Sequence, residues 1–234
     1  MVAMKLPRSV LDAYNRAIKR CGDDAEAATR KALSAWLDAH PNASIEQIRE
    51  VAIAIMTEFG TTYGRGAGDA AYALRALIAE VVGVELPAEV YDYAPEVESI
   101  EKTARYQVGK LIEGDRVGFV TQIASASRYY AERGANDTMH ELTKRDERRL
   151  GRKVRFARVP TGPTSCPWCV MLASRGFVYR SAKTAGEANA FHRNCDCRII
   201  PGYGDAPSVE GYDPDLYYDM WKNPEKYAEQ SEGE

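Results

Sequence analysis

No stretch of the 234-residue sequence is long and apolar enough to cross a membrane, and the opening MVAMKLPRSVLDAYNRAI lacks the apolar centre of a secretory signal. These absences predict a soluble protein made in a cytoplasm. No internal repeat is present. The glycines of GTTYGRGAGDA, residues 60–70, lack the G-K-[ST] ending and the preceding strand of a phosphate-binding P-loop, so the piece reads as a flexible turn. Histidine is scarce, at three, and cysteine is confined, with four of five inside one stretch. The formal net charge of −3 is unremarkable and conceals a strong segregation along the chain.

The length fits one large domain or two small ones. From Ser9 to Ile112 the periodicity is helical, with Val10, Ala13, Tyr14, Ala17 and Ile18 recurring at three- and four-residue steps. Ser9 is positioned to cap a first helix. A second run, 24–39, stops at His40-Pro41, and Ser44 with Gln47 makes a capping box for a third over 45–59. After the glycine-rich turn come helices around 70–82, 96–112 and 115–134. Five to seven helices in an extended bundle suit docking against other subunits. Cys21 reads as a lone thiol near a helix end, and His40 as a solvated residue at a helix stop.

The densest chemistry lies in SCPWCVMLASRGFVYRSAKTAGEANAFHRNCDCRIIP, residues 165–201. Cys166 and Cys169 form a C-x-x-C knuckle; after a spacer of 22 residues come His192, Cys195 and Cys197 as H-x-x-C-x-C. A C-x-x-C loop aims two thiolates at one point, and a second Cys/His cluster can close the tetrahedral shell that zinc prefers. Five candidate ligands serve four places. The most natural set is Cys166, Cys169, His192 and either Cys195 or Cys197; Cys195 is favoured because H-x-x-C lets one turn present both ligands. Disulfide pairing is the alternative, with reducing conditions deciding for zinc and an oxidising compartment for disulfides. Phe177-Val178-Tyr179 and Arg198-Ile199-Ile200 read as short strands, one after each knuckle, that could pair and hold the halves in register. Trp168 reads as a lid over the site.

Catalytic readings of this stretch fare less well. A zinc deaminase has H-x-E before P-C-x-x-C; here Glu141 directly follows His140, and Ser165 precedes Cys166. A thioredoxin-type C-P-W-C needs a strand before it and a helix after it within an α/β repeat, whereas the preceding residues read as a loop and no βαβ pattern surrounds them. A zinc-supported nuclease could use His192 beside a basic finger, but nothing else supplies a general base or a second metal ligand set. His140, beside Glu141, reads as a surface residue.

Residues 144–158, KRDERRLGRKVRFAR, carry eight bases, Lys144, Arg145, Arg148, Arg149, Arg152, Lys153, Arg155 and Arg158, against two acids, a balance of +6. Such density predicts contact with nucleic acid or with an acidic partner; a phosphate contact of this kind would be blind to sequence and sensitive to salt. Arg155 to Val159 alternates as an edge strand. Residues 203–234 invert the balance, with nine acids against Lys222 and Lys226, or −7. Six interspersed Tyr and Trp residues argue against a purely disordered tail and predict that the segment folds back or docks on a partner.

The order C-x-x-C, then Leu172, Gly176 and Phe177, then H-x-x-C-x-C-R with Arg198 and Pro201, resembles the C-terminal module of phage minor head proteins. These are the Mu F-like, or SPP1-type, head morphogenesis family, and more narrowly the minor capsid proteins of related siphophages. The motif covers about one sixth of the chain. The family often has Pro before the His, where this chain has Phe191.

The resemblance implies a structural, non-enzymatic protein of the virion head, present in the host cytoplasm during assembly. It also implies association with the portal or major capsid protein and a role toward packaged double-stranded DNA. The expected architecture is mainly α: an elongated helical region over 1–140, a small α+β zinc-finger-like module with its basic segment over 141–202, and an acidic aromatic tail over 203–234. Zinc would be structural, with no small-molecule substrate. A zinc-finger nucleic-acid-binding protein acting in the host cell is the competing expectation.

Overall fold

The computed structural model describes residues 3–162, 165–180 and 197–228. In chain order these form β1 (Ala3–Leu6), α1 (Arg8–Ala39), α2 (Ile45–Val82), α3 (Val97–Ile112), α4 (Arg116–Leu150), β2 (Arg155–Pro160), α5 (Pro167–Ala173), β3 (Cys197–Gly202), β4 (Asp205–Val209), α6 (Pro214–Lys222) and α7 (Glu225–Ala228). The chain is mainly α, as its periodicity predicts. No described helix is long and apolar enough to cross a membrane. The contacts divide the chain into two compact units: Arg16–Ala70 with Tyr91–Asp137, and Met1–Asn15 with Ala71–Val90 and Thr138–Glu234.

The first of these units is a helical bundle. Its core joins Leu33, Met56, Ile100, Phe119 and Ile123, all fully or almost fully buried, each contributing about 1.5–3 kcal/mol of burial. The predicted capping box is present: Ser44 N–H donates to Gln47 Oε1 (2.9 Å) and Gln47 N–H to Ser44 Oγ (3.2 Å). At the other end of the preceding helix His40 stacks on Trp36, with ring centres 4.4 Å apart.

Two expectations fail here. The helix expected to start at residue 24 is the continuation of α1, and residues 60–70 are not a turn but the middle of α2. The glycines serve close packing: a Cβ on Gly64 would lie 2.3 Å from Tyr93 Cε1, and one on Gly134 would lie 2.2 Å from the Gly64 carbonyl oxygen. Backbones of α2 and α4 touch where neither has a side chain, which outweighs the roughly 1 kcal/mol helical cost of each glycine. The space admits Tyr93, whose hydroxyl donates to Tyr130 O (2.7 Å).

The other unit gathers both sheets. β1 pairs in parallel with β4, Ala3 opposite Asp205 and Leu6 opposite Val209, so the acidic C-terminal segment folds back as predicted. Glu210, just past β4, supplies the N-terminal cap of α1 by accepting from Arg8 N–H (3.1 Å); Ser9, expected to cap, lies inside the helix. β2 pairs antiparallel with β3 from Arg155–Gly202 to Pro160–Cys197. On its other side Phe156 exchanges two backbone hydrogen bonds with Tyr179, at 3.0 and 3.1 Å. β2 is therefore an inner strand at this point, and it separates the Tyr179 segment from β3, the two pieces expected to pair directly.

Beneath these strands lies a buried polar network. Arg75 donates to both oxygens of Asp146 (2.8 and 2.5 Å) and to Pro87 O (3.0 Å). The Tyr203 hydroxyl donates to the same carboxylate, and Arg152 donates to Tyr203 O (2.5 Å). Burial disfavours the Arg75 charge, but the hydrogen bonds and charge of Asp146 outweigh it and hold the guanidinium pKa above its ordinary value.

Candidate metal centre

The C-x-x-C knuckle opens a helix. Cys166 is the N-cap of α5 with extended backbone, and Pro167 occupies the first turn, where a missing N–H costs nothing. Cys166 Sγ takes the capping role by accepting from Cys169 N–H (3.3 Å). Capping thus holds the Cys166 sulfur against the turn that carries Cys169, and β3 brings Cys197 beside them. Cys169 and Cys197 are fully buried in contact, with Cys166 packed against them.

Aromatic side chains close the surroundings. Tyr179 donates to Leu172 O (2.6 Å) and Tyr212 to Ala173 O (2.5 Å). Burial pushes the Tyr179 hydroxyl up to about 12, Arg175 and Arg158 pulling it down and Cys197 up. Burial raises Tyr212 as well, with further contributions from neighbouring tyrosines and from Cys197. Cys169 and Cys197 are buried and Cys166 is half-buried beside exposed Pro167 and Trp168.

Three of the five sequence candidates are brought together. His192 and Cys195 lie outside the described residues, and among the described residues no group of three or more His, Cys, Asp or Glu could by itself hold a metal ion. Clustered thiols fit the donor chemistry of zinc, and a four-ligand shell would need a donor beyond these three cysteines. Cys197, the alternative to Cys195 in the sequence reading, is part of the sulfur cluster. β2, the strand expected over residues 155–159, ends at Pro160, so the expected loop is shortened by residues 158–160 while Thr161, Gly162 and Ser165 before the knuckle are not strand; α5 follows Cys166. β2 belongs to an antiparallel pair rather than a parallel βαβ unit, so the thioredoxin comparison gains nothing.

The basic segment divides sharply. Arg158 is fully buried on β2. Lys144 pairs with Glu141 (2.7 Å) and Arg145 with Glu89 (3.3 Å). Arg152 donates to Tyr203 O, and Arg155 to Val178 O (3.1 Å). Arg148, Arg149 and Lys153 are exposed. Asp146, counted in the sequence as one of two acids diluting the run, is the buried partner of Arg75, and Glu147 accepts from Val154 N–H (3.0 Å).

His140 is a correction: it is buried, edge-on to Phe156 at 5.7 Å, and not a surface residue. Burial, then the charge of Lys144, lowers its pKa. Sequence reading also missed the burial of Arg198 on β3, with Nε donating to Asn15 Oδ1 (3.0 Å). The sequence reading placed Arg198 in the H-x-x-C-x-C-R order and on a strand, but its burial against Asn15 has no local signal.

Fold and site define a mainly helical protein carrying a thiol-centred module between a C-x-x-C helix cap and a returning strand. A family model described as VG15 protein matches residues 5–224, nearly the whole chain. The chain belongs to the VG15 protein family and is a viral protein of the phage kind. No curated protein and no solved structure matches it.

Proposed function

We propose that the chain is a structural minor capsid protein of a tailed phage or prophage, a head morphogenesis component without enzymatic activity. It associates with the portal or major capsid protein, and its exposed cations face packaged DNA or an acidic protein surface. The observation that carries this reading is the VG15 match across residues 5–224, joined to the C-x-x-C and H-x-x-C-x-C-R order of the minor head proteins. Zinc held by Cys166, Cys169, His192 and Cys195 or Cys197 would be structural, because a closed four-ligand shell leaves no position for substrate. Zinc, when bound, would contribute folding energy; the chain's residues supply the cysteine cluster and the Tyr179 and Tyr212 side chains near it.

Co-expression with the portal, scaffold and major capsid proteins of the same genome tests this reading. The chain should co-sediment with assembled heads in a few copies each; loss from heads built without portal assigns the portal as its partner, and retention assigns the major capsid protein. A chain that stays in the soluble fraction while heads assemble normally contradicts it. The nucleic-acid-binding alternative rests on Arg148, Arg149 and Lys153. It predicts duplex binding by the isolated protein with a steep salt dependence.

A further inference from the structure

Helix α6 and the end of α4 each present groups that the rest of the described chain does not engage. α6 has no buried residue. Tyr217 packs toward Tyr212, ring centres 5.8 Å apart, while Leu216, Tyr218 and Trp221 are 48, 51 and 42 % exposed. Tyr218 and Trp221, three residues apart on one face, are in edge contact at 5.9 Å, and Lys222 Nζ lies 4.4 Å from the Trp221 ring centre. These rings are held in place before any partner arrives, and preorganised Tyr and Trp are the side chains that anchor protein interfaces.

Charge completes the description. Asp219 is taken up by Lys226 (2.7 Å), whereas Asp215, one turn before Tyr218, and Glu225, just beyond the helix, make no ion pair among the described residues. In the same compact unit, Arg148 and Arg149 at the end of α4 and Lys153 just after it are exposed and likewise without an ion pair there. One polypeptide thus carries an acid-flanked aromatic helix and, elsewhere on its surface, a strip of three unmatched cations.

We propose that the chain associates with a second copy of itself head to tail, α6 of one copy seated against Arg148, Arg149 and Lys153 of the next. The two surfaces differ, so each dimer leaves one of each exposed and association continues to a ring or an open row. Paired charges set the encounter rate and its salt dependence, and the Tyr218–Trp221 pair sets the lifetime. This assignment stands independently of the proposed function.

Sedimentation velocity of the full-length chain over a concentration series, at roughly 50 mM and 500 mM salt, tests it. The expected result is concentration-dependent association at low salt, at least about tenfold weaker at high salt. Y218A/W221A and R148E/R149E should each be monomeric while keeping the parent's far-UV circular dichroism and melting temperature; if charge reversal disturbs α4, R148Q/R149Q replaces it and should weaken association about tenfold. Mixing the two defective variants restores one intact surface of each kind, so a dimer and nothing larger should form. A parent chain that is monomeric at low salt, variants that associate like the parent, or a mixture that forms no dimer would each overturn the proposal. So would a monomeric parent that binds a duplex DNA probe through the Arg148 strip.

Discussion

Replacing Asp146 by Ala leaves the Arg75 guanidinium buried with Pro87 O as its remaining acceptor among the described residues. In the native chain Asp146 is fully buried, receives two hydrogen bonds from Arg75 and accepts a third from Tyr203. Breaking a buried pair from one side costs about 3–5 kcal/mol, because the surviving charge is uncompensated. Tyr203→Phe removes one hydrogen bond to a charged acceptor and leaves the pair intact, a loss of about 1.5–3 kcal/mol. Replacing both partners with apolar residues, Arg75→Met with Asp146→Leu, removes both desolvation costs and should lie nearer the parent than either single change. Urea unfolding followed by circular dichroism reads these effects. With a slope of about 2 kcal/mol per molar, a 4 kcal/mol loss moves the midpoint by about 2 M, a large part of the 5–15 kcal/mol typical of a folded chain. An Asp146→Ala loss below about 1 kcal/mol, or a double variant as unstable as the sum of the singles, would refute the reasoning.

Cys166→Ser should abolish metal binding and loosen residues 165–202 while the helical core keeps its hydrogen-exchange protection, since structural zinc contributes on the order of 10 kcal/mol to small modules; a variant without metal that melts like the parent contradicts this. Gly64→Ala should destabilise by about 1–3 kcal/mol through overpacking against Tyr93. Gly109→Ala, in α3 with open space around it, should stabilise by about 0.5–1 kcal/mol; calorimetry showing the same sign for both would defeat the packing argument. The fold holds His140 neutral, with a pKa below the 6.5 of the unfolded chain. Its contribution is therefore complete above pH 6.5 and is lost as pH falls through the folded value, and His140→Gln should flatten that part of the stability profile relative to the parent.

Local signals in the sequence were readable where the chain satisfies itself locally. Ser44 and Gln47 bond to each other across three residues, so the start of α2 was legible. The aromatics of the acidic segment predicted that it folds back or docks on a partner; β4 pairs with β1 and Tyr203 and Tyr212 are buried, whereas α6 buries no residue. What failed were features defined by distant residues. GTTYGRGAGDA has the composition of a turn, and only the nearness of Tyr93 and Gly134 shows that its glycines serve contact inside a helix. β1 is a four-residue strand whose partner lies about two hundred residues away, and α1 takes its cap from Glu210 rather than from the adjacent Ser9.

At the candidate site, spacing alone proposed candidate ligands, and the structure brings three of them, Cys166, Cys169 and Cys197, into one cluster. Pro167 in the first turn marks the start of α5. The basic run was misleading in bulk: charge counting weighs Arg158, buried in β2, equally with Arg148 on the surface. Burial of Asp146 and His140 depends on which face of α4 meets the strands, and no local pattern records it.

The most direct measurement is elemental analysis of the purified, untagged chain, combined with thiol titration under native and denaturing conditions. The account predicts about one zinc per chain, with the thiols of Cys166, Cys169 and Cys197 protected until the protein is denatured. A chain free of metal, with few titratable thiols even when denatured, would contradict it and assign the cluster to disulfides instead.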